Sequence, residues 1–119
     1  MKRNHRTLKV WQEAIELVDA IYLATTMFPA DERFGLTSQL RRAAVSVPAN
    51  IAEGFARTGT RELLHFLSIA SGSLSELDTL IEIAKRQNLI ANADSLAEHI
   101  DRVSALVLAL AASLKKKLA

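Results

Sequence analysis

Apolar residues recur along this chain at steps of three and four, and no stretch alternates apolar and polar positions as a strand would. Four segments carry the pattern. The first spans about Leu8 to Thr26, with Trp11, Ala14, Ile15, Val18, Ile21, Tyr22 and Thr25 along one helical stripe. Pro29 closes it, because a proline disfavours helical geometry at the residue before it, here Phe28. Residues 30–35 form a connection with one helical turn through Ala30, Asp31, Glu32 and Arg33. Thr37 then reads as the N-cap of a second segment reaching Arg57, whose stripe is Leu40, Ala43, Ala44, Val47, Ile51 and Phe55. Pro48 falls inside that segment and removes one backbone hydrogen bond. The stripe keeps its phase from Val47 to Ile51 and Phe55, which favours one helix kinked at Pro48 over two shorter ones.

Thr58, Gly59 and Thr60 break the pattern again, with Thr60 as N-cap of a third segment that runs to about Gln87. Its near-heptad seam is Leu63, Phe66, Leu67, Ala70, Ser73, Leu74, Leu77, Leu80, Ile81 and Ala84. A turn through Asn88 to Asn92 leads to the fourth segment, capped by Asp94 or Ser95. There Leu96, Ile100, Val103, Val107, Leu110 and Leu114 alternate steps of four and three. The last two segments are each about 35–40 Å long at 1.5 Å per residue, matched for antiparallel packing. The expected fold is therefore all-α: an antiparallel up-down four-helix bundle in one domain over residues 1–119, its second helix kinked at Pro48 and residues 1–7 a flexible basic arm.

Composition agrees with helices. Half of the 119 residues are hydrophobic and only 5% are aromatic, a balance that suits helix packing better than a sandwich of strands. With no cysteine, there is no disulfide framework, thiolate nucleophile or zinc–thiolate site. Charged residues interrupt the N-terminal segment as they would not in a signal peptide, and the uncharged run Val103 to Leu114 is too short to span a bilayer. A soluble, cytoplasmic protein without membrane association is expected. The net charge is +2, well short of a protein coated for nucleic acid, so such binding would need cations clustered in space or multiplied by an oligomer.

The second segment is apolar around more than half its circumference. Val45 and Ala52 lie off the core stripe on one side, Asn50 and Gly54 on the other, and Ala105 and Ala109 with Ala112 make a second smooth stripe on the fourth segment. These are expected subunit contacts; the competing reading is a monomer that tolerates alanine, the best helix former, on its surface.

The run Leu36-Thr-Ser-Gln-Leu-Arg-Arg-Ala-Ala-Val-Ser-Val-Pro-Ala-Asn-Ile-Ala-Glu-Gly-Phe-Ala-Arg57 resembles the signature of the four-helix-bundle proteins first noticed in intervening sequences of bacterial 23S ribosomal RNA genes. Val10-Trp11-Gln12 with Ala14, the stretch Tyr22 to Pro29, and Ser68 to Leu77 fit the same pattern. The resemblance implies a cytosolic bundle that assembles into a ring-like homopentamer. It extends to the accessory variability protein of diversity-generating retroelements, a similar pentameric barrel that contacts nucleic acid and reverse transcriptase.

Arg41, Arg42, Arg57 and Arg61 bracket the second segment and the start of the third. They would contact phosphates as a patch repeated around an oligomer, with RNA or a nucleoprotein complex as partner, or else pair with neighbours such as Glu53 and Glu62. Lys2, Arg3, Arg6 and Lys9 form an arm that would lie on RNA or an acidic partner, or be solvated. Asn50 is also a candidate to satisfy backbone groups freed by Pro48, and Gly54 to allow close helix approach. Lys115, Lys116 and Lys117 complement the dipole at the end of the fourth helix. Glu62 and His65 give one Glu-x-x-His half-motif, but Glu98 and His99 are adjacent and supply no second copy. No metal site, cofactor or catalytic residue is expected, and no phosphate loop or nucleophile elbow occurs. The sequence thus points to a non-catalytic, ring-forming interaction protein, with a protein-binding or self-assembling scaffold lacking nucleic-acid affinity as the alternative.

Overall fold

The apolar stripes fold against one another as four helices, α1 (Lys9–Thr25), α2 (Leu36–Ala56), α3 (Thr60–Arg86) and α4 (Ala93–Lys116). This computed structural model describes residues 4–118, and among them there is no strand. Consecutive helices pack side by side and α1 closes the circuit against α4, whereas α1 and α3, like α2 and α4, sit on diagonals. That is the arrangement of an up-down four-helix bundle. Leu17, Ile21, Leu40, Ile51, Leu67, Leu74, Leu77 and Ile100 fill its interior and are almost wholly buried. None of the helices among the described residues is long and apolar enough to cross a membrane.

Three of the four stripes face inward as their spacing requires. In α2 the buried residues are Leu40, Ala43, Ala44, Val47, Pro48, Ile51 and Gly54, with Phe55 half-buried. In α3 and α4 the seam residues are buried, apart from Phe66, Ser73, Leu110 and Leu114, which are half-buried. The first helix corrects the expectation. Its buried residues are Val10, Ala14, Leu17, Ile21 and Thr25, so the true stripe is turned by about 60° from the expected one. Leu17 is fully enclosed, while Tyr22 is 41% exposed.

α2 runs unbroken through Pro48, whose ring denies the Ala44 carbonyl its helical donor. Asn50 does not reach that carbonyl. Its Nδ2 donates to the Ser46 carbonyl at 2.8 Å and to Ser46 Oγ at 2.9 Å. Ser46 Oγ lies 2.8 Å from Ser73 Oγ of α3, so a small polar chain ties the two helices across an otherwise apolar seam.

The helix ends also differ from expectation. Residues Gly35, Gly59 and Asn92 occupy the N-cap positions in place of Thr37, Thr60 and Asp94 or Ser95, and none makes a side-chain cap bond. At α2 the carboxylate of Glu32, from a 3-10 turn over Ala30–Glu32, substitutes: its Oε1 accepts the Leu36 N–H at 3.2 Å. An anion there also complements the helix dipole. At the end of α3, Asn88 adopts the left-handed conformation (φ 59°). The Leu89 N–H then reaches the Ala84 carbonyl at 2.9 Å and the Asn88 N–H reaches that of Lys85 at 3.1 Å. This is a Schellman motif, with asparagine in the place usually held by glycine.

Part of the expected flexible arm is a 3-10 turn, Asn4–Thr7, laid against the start of α1. The His5 ring centroid sits 5.1 Å from that of Trp11, the Arg6 guanidinium lies 5.3 Å from the Trp11 ring, and Gln12 Nε2 donates to the Arg6 carbonyl at 2.9 Å. Lys2 and Arg3, named as candidate RNA contacts, lie outside the described residues.

Candidate assembly faces and cationic surface

The four candidate arginines do not form one patch. Arg41 and Arg42 lie in the second turn of α2, and Arg57 and Arg61 bracket the connection to α3, about 24 Å away along the helix at 1.5 Å per residue. Within each pair the two side chains have different surroundings. Arg41 is absorbed by the fold: its Nε donates to Thr25 Oγ1 at 2.9 Å, its Nη2 to the Tyr22 carbonyl at 3.4 Å, and its guanidinium lies 4.5 Å from the Tyr22 ring. Thr25 is 3% exposed and itself donates to the Ile21 carbonyl at 2.8 Å, so both lone-pair and proton of that buried hydroxyl are used. A cation among the last carbonyls of α1 also complements that helix's dipole. Arg57 pairs with Glu53 at 3.2 Å and lies over the Phe66 ring. Arg42 is exposed and, among the described residues, bonds only the Ser38 hydroxyl, at 3.0 Å. Arg61 is exposed and has no ion pair among the described residues. Arg6, the last candidate, lies on Trp11 as described.

The residues named for subunit contact divide in the same way. Gly54 belongs to the bundle's own α2–α3 contact, and Asn50 is bonded within α2 to Ser46, which in turn meets Ser73 of α3. A Cβ on Gly54 would lie 2.9 Å from Leu63 Cδ1 and 3.0 Å from Phe66 Cβ, so the glycine is what lets these helices approach. Val45 and Ala52 remain on the outer side of α2, Val45 at 43% exposure and Ala52 half-buried. With exposed Ala49 and Ala56 they make a smooth row at steps of four, three and four. Beside its start stand Tyr22 and Phe34, the latter 87% exposed, in a groove shared with Arg33, Arg41 and Arg42.

On α4, Ala105, Ala109 and Ala112 are all exposed, and Leu108 rises among them at 59% exposure. A groove between α3 and α4 adjoins this row, walled by Leu64, Val107, Leu108 and Ala111 and rimmed by the cations Arg61 and Lys115. Phe34 and Leu108 were not among the expected contacts. Their signal was in the sequence: each is a bulky apolar residue at a phase where its helix or loop meets solvent. Two separate apolar surfaces result, one on α2 and one on α4, on diagonally opposed helices.

Comparison with known proteins bears on the fold and the family. A crystal structure of a protein of unknown function from the S23 ribosomal protein family of Bacteroides thetaiotaomicron superposes with a TM-score of 0.77 at 20% identity, covering 86% of this chain and 97% of that one. At that identity the likeness speaks for the bundle alone. No curated protein matches the chain. The family model for the 23S rRNA-intervening sequence protein matches residues 6–109, nearly the whole bundle from the turn at Arg6 into the α4 face. This chain therefore belongs to the 23S rRNA-intervening sequence protein family.

Proposed function

We propose that the protein is a non-catalytic interaction module that assembles head to tail into a closed ring of identical chains. The observation that carries this reading is the pair of exposed apolar surfaces, around Val45 on α2 and Leu108 on α4, on diagonally opposed helices. Surface alanines alone would argue little. Val45, Phe34 and Leu108 together leave more bulky apolar surface in water than a monomeric bundle needs. A twofold dimer would bury one self-complementary patch on each chain. Two different patches on opposite sides instead favour a heterologous contact, which closes into a ring when its rotation divides the circle. A ring of five is the size the resemblance implies, and a cytoplasmic setting goes with the absence of cysteine.

The reading predicts a purified particle several times the 13.1 kDa chain mass by light scattering. Val45→Glu and Leu108→Glu, each placing a carboxylate in a dry contact, should each reduce it to a single chain with helical content unchanged. A particle of undiminished mass in both variants would remove these faces from the contact.

RNA association is a second reading, favoured by Arg42 and Arg61. Neither has a carboxylate partner among the described residues, and a ring would repeat both around its surface. In fluorescence anisotropy with structured RNA, Arg42→Ala with Arg61→Ala should weaken binding and flatten its salt dependence by about one unit of slope per lost phosphate contact. Arg41→Ala, whose guanidinium is engaged by Thr25 and Tyr22, should act on stability instead. An RNA affinity unchanged by the double substitution would exclude these arginines as the contact.

A further inference from the structure

We infer that Glu13, Glu16 and His99 form a binding site for a first-row divalent metal ion of the zinc type, clipping α1 to α4. The two glutamates stand three residues apart on α1 and so share one of its faces. α4 brings His99 to that face, and one ligand atom from each of the three side chains lies within 4.8 Å of the other two. Zinc bonds oxygen and imidazole nitrogen at about 2.0–2.2 Å, which places ligand atoms of one sphere roughly 3–3.5 Å apart. The glutamates, with three rotatable bonds each, can close the remaining ångström without moving the helices.

A second observation points the same way. Nε2 of His99, on a half-buried ring, is itself shielded from solvent and has no hydrogen-bond partner among the described residues. A desolvated polar atom of this kind is costly unless something satisfies it. A metal ion held jointly with the two carboxylates satisfies it and offsets their mutual repulsion. Among the described residues the competing partner is Arg102, whose Nε is 3.9 Å from Glu13 Oε1 and which is itself 58% exposed, a weak contact that a metal would displace.

The donor set decides the ion. One imidazole and two carboxylates suit zinc, cobalt or nickel; calcium and magnesium prefer oxygen alone, and copper(I) prefers sulfur. Three protein ligands leave a fourth position for water. Sequence spacing conceals the cluster, because Glu98 and His99 are neighbours on one helix and the true partners of His99 lie more than eighty residues earlier. A site that spans α1 and α4 exists only in the folded chain, so the ion binds and stabilises the native state.

The test is a zinc titration of the chelator-stripped full-length protein by calorimetry, followed by thermal unfolding with and without zinc. One zinc per chain is expected, with a midpoint rise of about 10 °C when zinc is in roughly hundredfold excess over its dissociation constant. Affinity should fall at least about tenfold in His99→Ala and in Glu16→Gln, a loss typical even of residues that only support a ligand. Glu16 is exposed, so Glu16→Gln keeps the fold and isolates the ligand effect. His65→Ala, on a histidine outside the cluster, should bind as the native protein does. Zinc binding that is absent, or equal in the native chain and both cluster variants, overturns the proposal.

Discussion

Gly54→Val should lower the unfolding free energy by about 3 kcal/mol, the upper part of the usual range for overpacking a well-filled contact. The first added carbon alone would stand 2.9 Å from Leu63 Cδ1, 3.0 Å from Phe66 Cβ and 3.4 Å from the Leu63 carbonyl oxygen. The Leu63 methyl can swing away, and the carbonyl is at ordinary contact distance. Phe66 Cβ, however, is fixed to the backbone of α3, and the two further methyl groups of valine must also fit, so α2 and α3 must separate. Gly54→Ala makes the same first contact but gains roughly 1 kcal/mol of helix propensity, so its net cost should be far smaller. Chemical denaturation at one fixed chain concentration measures both, since assembly makes apparent stability depend on concentration. A Gly54→Val protein that unfolds normally but loses its assembly would return Gly54 to the subunit contact.

Leu17→Ala should cost about 3 kcal/mol, and Ile15→Ala about 1 kcal/mol or less, as fits full against partial burial. Leu17 has no exposed surface, whereas Ile15 is only partly covered. The stripe expected from spacing alone places Ile15 in the core and leaves Leu17 out of it. The two substitutions therefore separate the observed register of α1 from the expected one by denaturation midpoint. Equal or inverted costs would contradict the observed register.

That register shows where sequence reasoning ran short. α2, α3 and α4 carry mostly charges or small residues on their outer sides, with single bulky exceptions such as Val45 and Leu108, so their core stripes have one reading. α1 is apolar at Val10, Trp11, Ala14, Ile15, Leu17, Val18, Ile21, Tyr22 and Leu23, which supports two overlapping phases. Only the neighbours decide between them: α1 packs on α2 and α4 with Leu17 fully buried, and Arg41 holds the rim at Tyr22 by taking its carbonyl and the Thr25 hydroxyl. The caps were misplaced because serine, threonine and aspartate are the usual signals, while α2 borrows a carboxylate from Glu32 in the preceding turn.

The candidate sites were legible to different depths. Val45, Ala105 and Ala109 could be placed on outer faces from phase alone, and the structure leaves them there. Arg41 read as a free cation because its partners lie sixteen and nineteen residues earlier on another helix. The Glu13, Glu16 and His99 cluster depends on the sliding register of α1 against α4, which no single-helix spacing encodes.

The ring account rests on the contact being between unlike faces, and this gives it a sharp test. Val45→Glu spoils the α2 face and keeps that of α4; Leu108→Glu does the reverse. Each variant alone should be a monomer, and mixing the two should pair the intact α2 face of one with the intact α4 face of the other. Light scattering of the equimolar mixture is therefore predicted to give a species of twice the 13.1 kDa chain mass, containing one chain of each. If each variant instead remains oligomeric alone, or the mixture stays monomeric, the two faces do not meet and the head-to-tail ring is wrong.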